Sequence, residues 1–569
     1  MHPVPSRAPA NLVFESQRIF ISVMSIERQE KVELPPVLSA DVLVVGAGPT
    51  GLLLTHLLAK QGVRVCLMEQ LPQVVGEARA VSIDDESLRS MADALQLEAL
   101  APLITHAYGV HYYSWLQTLF AKVEPRVQDY GHPKRNAFRQ QQLVQTLFDA
   151  LKAYPHVEVL MSSRVLGFTQ EPLLEPSSQD LQACPVTVSF EQGEQVRQLL
   201  CRWLVGADGA RSTIRELIGT RFDGQTHAQR WLIADLVGRQ DAFRHTRTYC
   251  DPKRPAIRLP GPQSTLRYEF MLFDHEKSEE VLEEQVYRSW IKERNEADAD
   301  LALMRKVVYS FHARVAKEWQ KGRVFLAGDA AHLTPPFAGQ GMNSGVRDAS
   351  NLAWKLADVV KGRASTALLG TYQLERKPHA WALIQMALKI GVVMQPRSML
   401  GAIVVQTLLK MACWVPRVKD YFLNLKFKPK PRFFEGFFDL ESKGRALIAP
   451  GQLMVQPPLE SARSDIVKMD SVLGSGFAVL TWWDAKEVDW PQALDLKVIK
   501  ILRQEEDFLH PSEQSDWYRD VDGHLQRVLD SAQACAVILR PDHYVLSYVY
   551  PDDDRALSRL QAILFGYYT

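Results

Sequence analysis

The spacing of apolar and polar positions changes twice in the first clearly patterned part of the chain. From Asp41, "DVLVVGAG" is an unbroken apolar run that ends in glycine, the pattern of a strand buried on both faces. "PTGLLLTHLLAKQG" follows with apolar residues at helical spacing and ends at Gly62, and "VRVCLME" is a second buried run. Residues 41–69 therefore predict a strand–helix–strand unit with parallel strands.

Further along, the spacing predicts other kinds of element. Short alternating segments fill residues 157–204, and "CRWLVGADGARSTIREL" repeats the strand–glycine–helix pattern. "QRWLIADLVG", "RTYCDP" and "LRYEFMLF" predict antiparallel strands within residues 228–273. A long helix is predicted over 343–361, and strand–helix segments start again after a proline-rich stretch near Pro429.

These elements predict an α/β fold in three parts. Residues 40–430 are expected to interleave a Rossmann-like α/β domain with an antiparallel sheet at about residues 228–320. Residues 440–569 are expected to form a separate C-terminal α/β domain. Residues 1–39 show no packed pattern, so we expect an extension without ordered structure, or an early start codon with Met24 as the true start.

Composition narrows the class of partner. The 569 residues include 66 basic and 66 acidic side chains, and this balance predicts neither nucleic acid nor a membrane as partner. Six scattered cysteines without a C-x-x-C pair or a Cys/His cluster are typical of a cytoplasmic protein without a metal site. The apolar stretch 399–414 contains Lys410 and is too short to span a bilayer. The sequence therefore predicts a small-molecule partner.

The turn after the first strand carries a dinucleotide-binding fingerprint, "GAGPTG", which includes Pro49. Gly46 permits a tight turn, Gly48 lets the backbone approach a pyrophosphate, and Gly51 lets helix and strand pack closely. The helix N-terminus favours phosphate binding through its N–H groups and its dipole. Glu69 ends the second strand, where a carboxylate can accept hydrogen bonds from ribose hydroxyls. The fingerprint occurs once, so a second Rossmann module for a nicotinamide is not expected.

Two later motifs also join a strand to glycines. Asp208-Gly209 lies in "GADGARSTIR", and Gly328-Asp329 lies in "FLAGDAAHLTPP". In this order, the three motifs resemble those of the single-component FAD-dependent aromatic hydroxylases, typified by p-hydroxybenzoate hydroxylase and phenol hydroxylase, over about residues 40–400. The segments "ARAVSIDDESLR", "KRNAF", "CDPKRP", "YEFM", "GQGMNSGVRDASNLAWKLA" and "LKFKPKP" look more narrowly like the 3-(3-hydroxyphenyl)propionate hydroxylases.

The resemblance implies a non-covalently bound FAD with several contacts. Asp329 would hydrogen-bond the ribityl chain, Arg79 would bind the pyrophosphate, and Gln140 would contact the flavin. Asp208 belongs to the family motif linked to both FAD and NADPH, and an ordinary strand-end turn is the open alternative. Pro336 would help to rigidify the loop facing the flavin ring, against which the glycine-rich backbone of "AGQGMNSG" would lie. The remaining residues expected at the cofactor are Gly328, Gly339, Gly341, Met342 and Asn343.

The substrate side is predicted from fewer signals. Asp84 could accept the phenolic proton, with a helix N-cap as the open alternative. Arg258, Arg267 and Tyr268 lie on the antiparallel segments that would cover the flavin. Either arginine could pair with a substrate carboxylate, and Arg267 is favoured because "LRYEFM" is closer to the family strand. Two further residues stay unassigned, Tyr309 and His312.

The C-terminal part, from about Leu440, resembles the thioredoxin-like domain of phenol hydroxylase relatives, with "LRPDHYV" as the recognisable piece. Cys535 stands there without a C-x-x-C pair, so redox exchange by this domain is not expected. A structural role or a subunit contact is expected instead, and a homodimer stays open.

The resemblance implies a cytoplasmic monooxygenase of aromatic catabolism. NADH or NADPH would reduce FAD, and O₂ would then give an FAD C4a-hydroperoxide that hydroxylates a phenol ortho to its hydroxyl. The narrower likeness points to 3-(3-hydroxyphenyl)propionate or 3-hydroxycinnamate. Another phenol or a polyketide stays open as substrate, as do a halogenase, a non-oxygenating flavin reductase and a flavin-bound sensor on the same fold. The halogenase signature G-x-W-x-W-x-I-P is absent.

Overall fold

A computed structural model describes most of the chain from Leu38 onwards. The described residues are 38–74, 79–95, 97–106, 108–171, 185–238, 243–440, 446–485, 490–491, 494–508, 516–551 and 554–568. The expectation for the N-terminal extension lies outside these ranges for residues 1–37. The first strand begins at Leu38, slightly before the expected boundary.

The strands are, in chain order, β1 (Leu38–Val45), β2 (Val65–Met68), β3 (Ser82–Ile83), β4 (Ile104–His106), β5 (Val110–Tyr113), β6 (Leu119–Val123), β7 (Asn136–Phe138), β8 (Val157–Leu160), β9 (Ser163–Gln170), β10 (Val186–Gln192), β11 (Gln195–Gly206), β12 (Phe222–Val237), β13 (Thr246–Tyr249), β14 (Ala256–Pro260), β15 (Thr265–Leu272), β16 (Ala302–Ala316), β17 (Gln320–Lys321), β18 (Val324–Leu326), β19 (His332–Leu333), β20 (Pro458–Ser461), β21 (Ile466–Lys468), β22 (Ala478–Trp482), β23 (Lys497–Leu502), β24 (Trp517–Asp520), β25 (Ala536–Leu539) and β26 (Val545–Val549).

The helices are, in chain order, α1 (Pro49–Lys60), α2 (Asp85–Ala94), α3 (Leu97–Leu100), α4 (Gln140–Ala150), α5 (Thr213–Ile218), α6 (Ser278–Val281), α7 (Glu284–Arg294), α8 (Gly341–Val360), α9 (Ala367–Met394), α10 (Met399–Ala412), α11 (Pro416–Leu423), α12 (Met469–Leu473), α13 (His524–Ala532) and α14 (Asp554–Phe565).

The first sheet has a parallel core in the order β17-β18-β11-β1-β2-β8, and β10 pairs with β11 and β9. Strand β1 runs parallel to both β11 and β2. The side chains of residues 42–45 on β1 and of all four residues of β2 are buried. The predicted strand–helix–strand unit is therefore confirmed. Its continuous apolar runs are buried because helices and loops cover both faces of the sheet.

The second sheet is mainly antiparallel, in the order β19-β16-β12-β15-β14-β13-β5-β6. Its inner face, marked by Trp231, Ile257 and Met271, packs on the loop that contains Phe337. Its outer face packs on α7 through a separate apolar cluster. The predicted antiparallel strands are confirmed. Strands β5 and β6, which lie earlier in the chain than the predicted segments, also belong to this sheet.

A small sheet, in the order β3-β7-β4, stands beside these two. Ser82 pairs with Ala137 and Ile83 pairs with Asn136 across it. Because β3 leads into α2 and β7 follows a basic loop, this pairing brings Asp84 and Arg135 to one side of the molecule.

The C-terminal part forms a third sheet, in the order β21-β20-β24-β23-β22-β25-β26. Strand β22 runs parallel to β23 and antiparallel to β25. One face of this sheet has an apolar cluster of its own, whereas Val479, Ile538 and Leu546 on the other face belong to the main core that also contains the first sheet. Arg540 adds a polar link, because it donates two hydrogen bonds of 2.9 Å to Glu375 on α9. The thioredoxin-like likeness of this part stays a prediction.

Helices α9 and α10 meet at a sharp bend of 113°. Among the described residues, no single helix is both long enough and apolar enough to cross a membrane. The bent pair of α9 and α10 reaches it only when the two are taken together, by length and composition alone.

Candidate active site

The fingerprint turn has the geometry that its glycines predict. Gly46 has φ +107°, and a Cβ there would lie 2.4 Å from the carbonyl oxygen of Ala207. A Cβ on Gly51 would lie 1.9 Å from the carbonyl oxygen of Gly46, so helix α1 and strand β1 pack too closely for a side chain. A Cβ on Gly48 would meet nothing within 4 Å. The α1 N-terminus has no side-chain cap, so this open space fits a phosphate group.

Glu69 stands at the end of β2 and is bonded to the same turn. Its Oε2 accepts the Ala47 N–H at 2.8 Å, and its Oε1 accepts the Leu71 N–H at 3.0 Å. These bonds fix the direction of a carboxylate that is almost wholly buried. The arrangement fits the predicted ribose contact, because each carboxylate oxygen can accept more than one hydrogen bond.

The Gly328-Asp329 motif packs directly on the start of α1. A Cβ on Gly328 would lie 2.6 Å from Thr50 Oγ1, and one on Gly345 would lie 2.2 Å from the same atom. Gly328 also has φ +61°, which favours glycine. The first turns of α1 and α8 therefore pack against the Gly328-Asp329 motif, and a residue larger than glycine would not fit at Gly328 or Gly345.

Asp348 on α8 holds this motif in place. Its Oδ2 accepts the Gly328 N–H at 3.0 Å and lies 2.7 Å from His332 Nε2. Its Oδ1 accepts a hydrogen bond from Arg376 Nε at 2.9 Å. Burial alone would raise the pKa of Asp348, but His332 and Arg376 outweigh it and lower the pKa. Asp348 therefore stays a charged anchor for the Gly328 backbone.

Asp329, in contrast, has a carboxylate without a hydrogen-bond partner among the described residues. It is half-buried, and burial raises its pKa. A buried acceptor that the chain itself leaves unpaired is costly unless a ligand pairs with it. The site therefore fits a hydroxyl-bearing group such as the FAD ribityl chain.

The loop before α8 combines a short 3₁₀ turn, Pro336–Ala338, with Gly339 at φ +63°. Asn343 Nδ2 donates to the carbonyl oxygens of Gly339 at 2.6 Å and Ser82 at 3.2 Å. Its Oδ1 accepts the Asp84 N–H at 3.2 Å. Asn343 therefore uses its amide group to hold the loop, rather than leaving it free for the flavin.

The start of α8 is nevertheless open. A Cβ on Gly341 would lie 4.0 Å from the carbonyl oxygen of Thr334. No side chain caps this N-terminus, and the first turn carries no acidic residue. Met342 is partly buried against the main core. Free N–H groups at this helix start favour negative charge on a bound ring.

Gln140 and Arg79 are brought together, but not as predicted. Gln140 Oε1 accepts the N–H groups of Arg79 at 2.9 Å and Ala80 at 2.7 Å. The Arg79 guanidinium lies 5.9 Å from the centre of the Tyr309 ring. Gln140 thus fixes the backbone that carries Arg79, and its direct flavin contact stays a prediction.

Asp208 caps a helix. Its Oδ1 accepts the Ser212 hydroxyl at 2.5 Å, and its Oδ2 accepts the Ile214 N–H at 3.1 Å. Burial raises the pKa of Asp208 in spite of these bonds. Both oxygens serve the start of α5, which is the strand-end turn that the sequence left open as the alternative.

Asp84 lies at the N-cap of α2, where its side chain accepts the Ser87 N–H at 3.0 Å. Its second oxygen pairs with Arg347 and with Lys428 Nζ, the latter at 2.9 Å. Burial alone would raise the pKa of Asp84, but the two cations hold it far below its usual range. A carboxylate with so low a pKa is a poor acceptor for a phenolic proton. In the structure the Asp84 side chain is the N-cap of α2, which was the open alternative. The low pKa of this carboxyl does not favour its predicted role as the acceptor of the phenolic proton.

The predicted substrate residues lie on two different faces of the second sheet. Arg258 pairs across strands with Tyr268, and both bond to Asp298 on the outer face, at 2.7 and 2.8 Å. Arg267 lies on the inner face, but its Nε donates to Asp235 at 2.6 Å and its Nη1 donates to the Arg79 carbonyl oxygen at 2.8 Å. Arg258 and Tyr268 therefore lie on the opposite face of the sheet from Arg267, and the Arg267 charge is already compensated by Asp235. Their contacts with a substrate stay predictions.

A recess opens between the small sheet, the Phe337 loop and α9. The space enclosed within it is small, about 30 Å³, and the recess is partly open to solvent. Its apolar lining comes from Val123, Phe337, Met386, Ile390, Leu425 and Phe427. The polar groups include Tyr112, whose pKa burial raises to about 12, and three cations, Lys134, Arg135 and Lys428.

The three cations differ in what already neutralises them. Lys134 pairs with Asp129 at 2.8 Å, and Lys428 pairs with Asp84 and Glu86. Arg135 has no carboxylate partner among the described residues. Its Nη2 donates to the Tyr108 hydroxyl at 3.3 Å, and its buried Nε has no hydrogen-bond partner. Arg135 is thus the cation of the recess with unused capacity.

Sequence reasoning assigned no role to Arg135, Arg347, Asp348 or Lys428. The first precedes a predicted strand in "KRNAF", and the others lie in "GVRDAS" and "LKFKPKP". All three segments carried the narrower resemblance, which was the available signal. Their roles depend on partners far away in sequence, such as Arg347 with Asp84 and Glu86.

Comparison with known proteins identifies the family. Residues 39–387 match the family described as FAD binding domain, and residues 451–562 match the one described as HcaD C-terminal domain. A 3-(3-hydroxy-phenyl)propionate/3-hydroxycinnamic acid hydroxylase of Burkholderia cenocepacia (strain HI2424) is 35% identical over 518 residues, 89% of this chain and 93% of the relative. One of Escherichia coli O81 (strain ED1a) is 32% identical over 539 residues, 92% and 95% of the two chains.

A solved structure supports the same fold. The ternary complex of aklavinone-11 hydroxylase with FAD and aklavinone has a TM-score of 0.71 at 22% identity, and the match covers 92% of this chain and 98% of that one. Fold and site together define a flavoprotein with an FAD-binding α/β domain and an antiparallel sheet. The chain belongs to the FAD-binding family of aromatic hydroxylases that includes these two relatives. It is an FAD-dependent aromatic-ring monooxygenase, as the sequence resemblance implied.

Proposed function

We propose that this enzyme hydroxylates a phenol that bears a short carboxylated side chain, and that the new hydroxyl is added ortho to the phenolic one. The names of its relatives suggest 3-(3-hydroxyphenyl)propionate and 3-hydroxycinnamate as substrates. The proposal rests on one recess that combines an apolar wall with Arg135, a cation for which the described part of the chain supplies no carboxylate partner. An aromatic acid needs both features, because its ring is apolar and its charge must be compensated in a dry site.

The residues present fit FAD at four points. The open space at Gly48 and the uncapped α1 N-terminus fit the pyrophosphate, Glu69 fits the ribose, and the unpaired Asp329 fits the ribityl chain. The uncapped α8 N-terminus beside Gly341 fits the flavin ring. When bound, FAD supplies the electron transfer and oxygen activation of this family, with O₂ and NADH or NADPH as co-substrates.

The chain's own residues hold the substrate and exclude water. Arg135 would bind the carboxylate in a charge-assisted pair, and Phe337, Ile390 and Phe427 would enclose the ring. The Tyr112 hydroxyl, which keeps its proton because of its raised pKa, could donate a hydrogen bond to the phenolic oxygen. A dry recess matters because water beside the activated oxygen would divert it to hydrogen peroxide.

The compartment proposed is the cytoplasm. Five cysteines of the described residues are free, namely Cys66, Cys201, Cys250, Cys413 and Cys535, and free thiols are typical of a reducing compartment.

The test is a substrate-dependent oxidation assay with the FAD-loaded enzyme. We expect 3-(3-hydroxyphenyl)propionate to stimulate NAD(P)H oxidation with matching O₂ uptake and to yield the catechol, with little hydrogen peroxide. Halide-dependent product formation would favour a halogenase, and NAD(P)H oxidation without a hydroxylated product would favour a reductase. If no phenolic acid stimulated oxidation while uncharged phenols did, the substrate class would be wrong and the monooxygenase assignment would stand.

A further inference from the structure

Several exposed apolar side chains lie close together on α10 and just after its end. We name this set the α10 face; its members are Leu400, Ile403, Val404, Leu408 and Met411 on α10, and Trp414 two residues after the helix ends. Leu400 is 76% exposed, Leu408 60% and Trp414 75%. Isolated exposed apolar residues need no explanation, but a contiguous set on one helix marks a surface that is covered by something else.

The helix is attached to the protein by a narrow stripe. Ala402 and Gln406 are its buried residues, and Gln406 Nε2 donates to the Cys250 carbonyl oxygen at 2.7 Å. They are one helical turn apart, so they define one side of α10. The exposed part of α10 carries the apolar residues of the α10 face together with Thr407 and Lys410. An apolar helix surface of this extent is stabilised when it is removed from water.

The charges around the α10 face identify the kind of partner. Between residues 389 and 432 the sequence has nine basic residues and one acidic residue. Eight of the basic side chains are exposed: Lys389, Arg397, Lys410, Arg417, Lys419, Lys426, Lys430 and Arg432. The one acid, Asp420, pairs with Lys426 at 2.5 Å. The zero net charge of the chain predicted no anionic membrane partner, because that balance averages this basic region with the rest.

We infer that the α10 face docks on the surface of an anionic lipid bilayer, with α10 lying along the interface. An apolar helix side with an exposed tryptophan and a basic surround is the combination that binds such surfaces. A second copy of the chain fits less well, because a two-fold contact through this face would bring two strongly basic regions together. Helix α10 alone, Met399–Ala412, is shorter than the roughly 20 residues that cross a bilayer, so the contact is peripheral.

The position of the α10 face gives this docking a consequence for the site. The chain runs from α10 through α11 to Leu425 and Phe427, which line the recess. A docked α10 would therefore place the recess, and the substrate site proposed there, next to the lipid surface. This consequence rests on the proposed function, whereas the docking itself does not.

The experiment is co-sedimentation of the FAD-loaded full chain with vesicles. We expect binding to phosphatidylcholine vesicles that contain phosphatidylglycerol, at least tenfold weaker binding to pure phosphatidylcholine, and weakening with added salt. Leu408→Gln combined with Trp414→Gln should reduce binding at least tenfold, and so should Arg417→Glu combined with Lys419→Glu, which changes only exposed charges. The matched control is Ile466→Gln, at an exposed apolar position 67% accessible on the C-terminal sheet, which should bind like the wild type.

The outcomes separate the alternatives. Flavin content and NAD(P)H oxidation measured on the same samples show whether each variant is folded, and a failed hydroxylation assay would leave the vesicle result unaffected. Absence of binding to anionic vesicles would overturn the inference. A wild-type dimer in sedimentation velocity that becomes monomeric in the α10 variants, without vesicle binding, would show that a second copy covers the face instead.

Discussion

The sharpest prediction concerns Arg135 and the charge of the substrate. We consider Arg135→Met, which keeps the apolar stem of the side chain and removes the guanidinium. In the recess this guanidinium has Tyr108 as its hydrogen-bond partner and no carboxylate among the described residues. A charge-assisted pair with a substrate carboxylate is worth about 1.5–3 kcal/mol. At 1.4 kcal/mol for each factor of ten, the variant should raise KM for 3-(3-hydroxyphenyl)propionate by roughly 10- to 150-fold.

The assay compares two substrates and three variants. KM is measured from NAD(P)H oxidation with 3-(3-hydroxyphenyl)propionate and with 3-ethylphenol, which has the ring and no carboxylate. Arg135→Met should leave the KM for 3-ethylphenol within a few-fold, and Arg135→Lys should recover part of the loss for the acid. The matched control is Arg126→Met, at an exposed arginine that precedes the same loop. An equal loss for both substrates would show that Arg135 supports the fold through Tyr108, and no loss for either would refute the anchor.

Three further predictions test the rest of the site. Asp329→Ala should lower FAD retention in dialysis by at least tenfold, whereas Asp329→Asn should lose less because an amide still accepts one hydrogen bond; full retention in both would refute the ribityl contact. Asp84→Asn should reduce thermal stability yet leave the acidic limb of the pH–rate profile in place, since the pKa of Asp84 lies below the assay range; loss of that limb would restore Asp84 as the base. Glu375→Gln should cost about 3–5 kcal/mol in the free energy of unfolding at pH 7. Burial alone would raise the pKa of Glu375, but Arg540 and Lys355 lower it from 4.5 to about 2, so this stabilisation is present above pH 4.5 and is lost as the pH falls towards 2. The difference between wild type and variant in denaturant titrations should therefore narrow below pH 4.5, and a constant difference would refute the ion-pair account.

The parts that sequence predicted well are those with a local physical cause. Gly46, Gly51 and Gly328 are required by backbone conformation or by contacts between adjacent elements, and a Cβ at each would meet another atom within 2.6 Å. The apolar runs of β1 and β2 have no polar alternation because both faces are buried. Such constraints leave a mark on a few consecutive residues, so one sequence is enough to read them.

The partners of the predicted substrate residues could not be predicted from the sequence, because they depend on which face of a strand each residue occupies and on residues far away in the chain. Arg258 and Arg267 both look available in sequence, but antiparallel pairing places them on opposite faces of the second sheet. Their partners, Asp298 and Asp235, are 40 and 32 residues away. Arg135 lies in a loop without periodicity, and only the pairing of β3 with β7 brings it beside the Phe337 loop. A single sequence does not specify these contacts between distant residues.

The C-terminal part has a physical role that needs no redox pair. Arg540, wholly buried, donates to Glu375 on α9, and Glu375 in turn accepts hydrogen bonds from Asn351 and Lys355 on α8, both at 2.7 Å. Helix α8 has an uncapped N-terminus, at which we propose that the flavin ring binds, and its Asp348 holds the Gly328 backbone. A buried ion cluster is strongly destabilised when one member is removed, because the remaining charges are left unpaired. The C-terminal part therefore helps to fix the position of α8 along its axis, and with it the geometry of the loop before α8. This role does not require a pair of cysteines, and Cys535 is the one cysteine of residues 440–569.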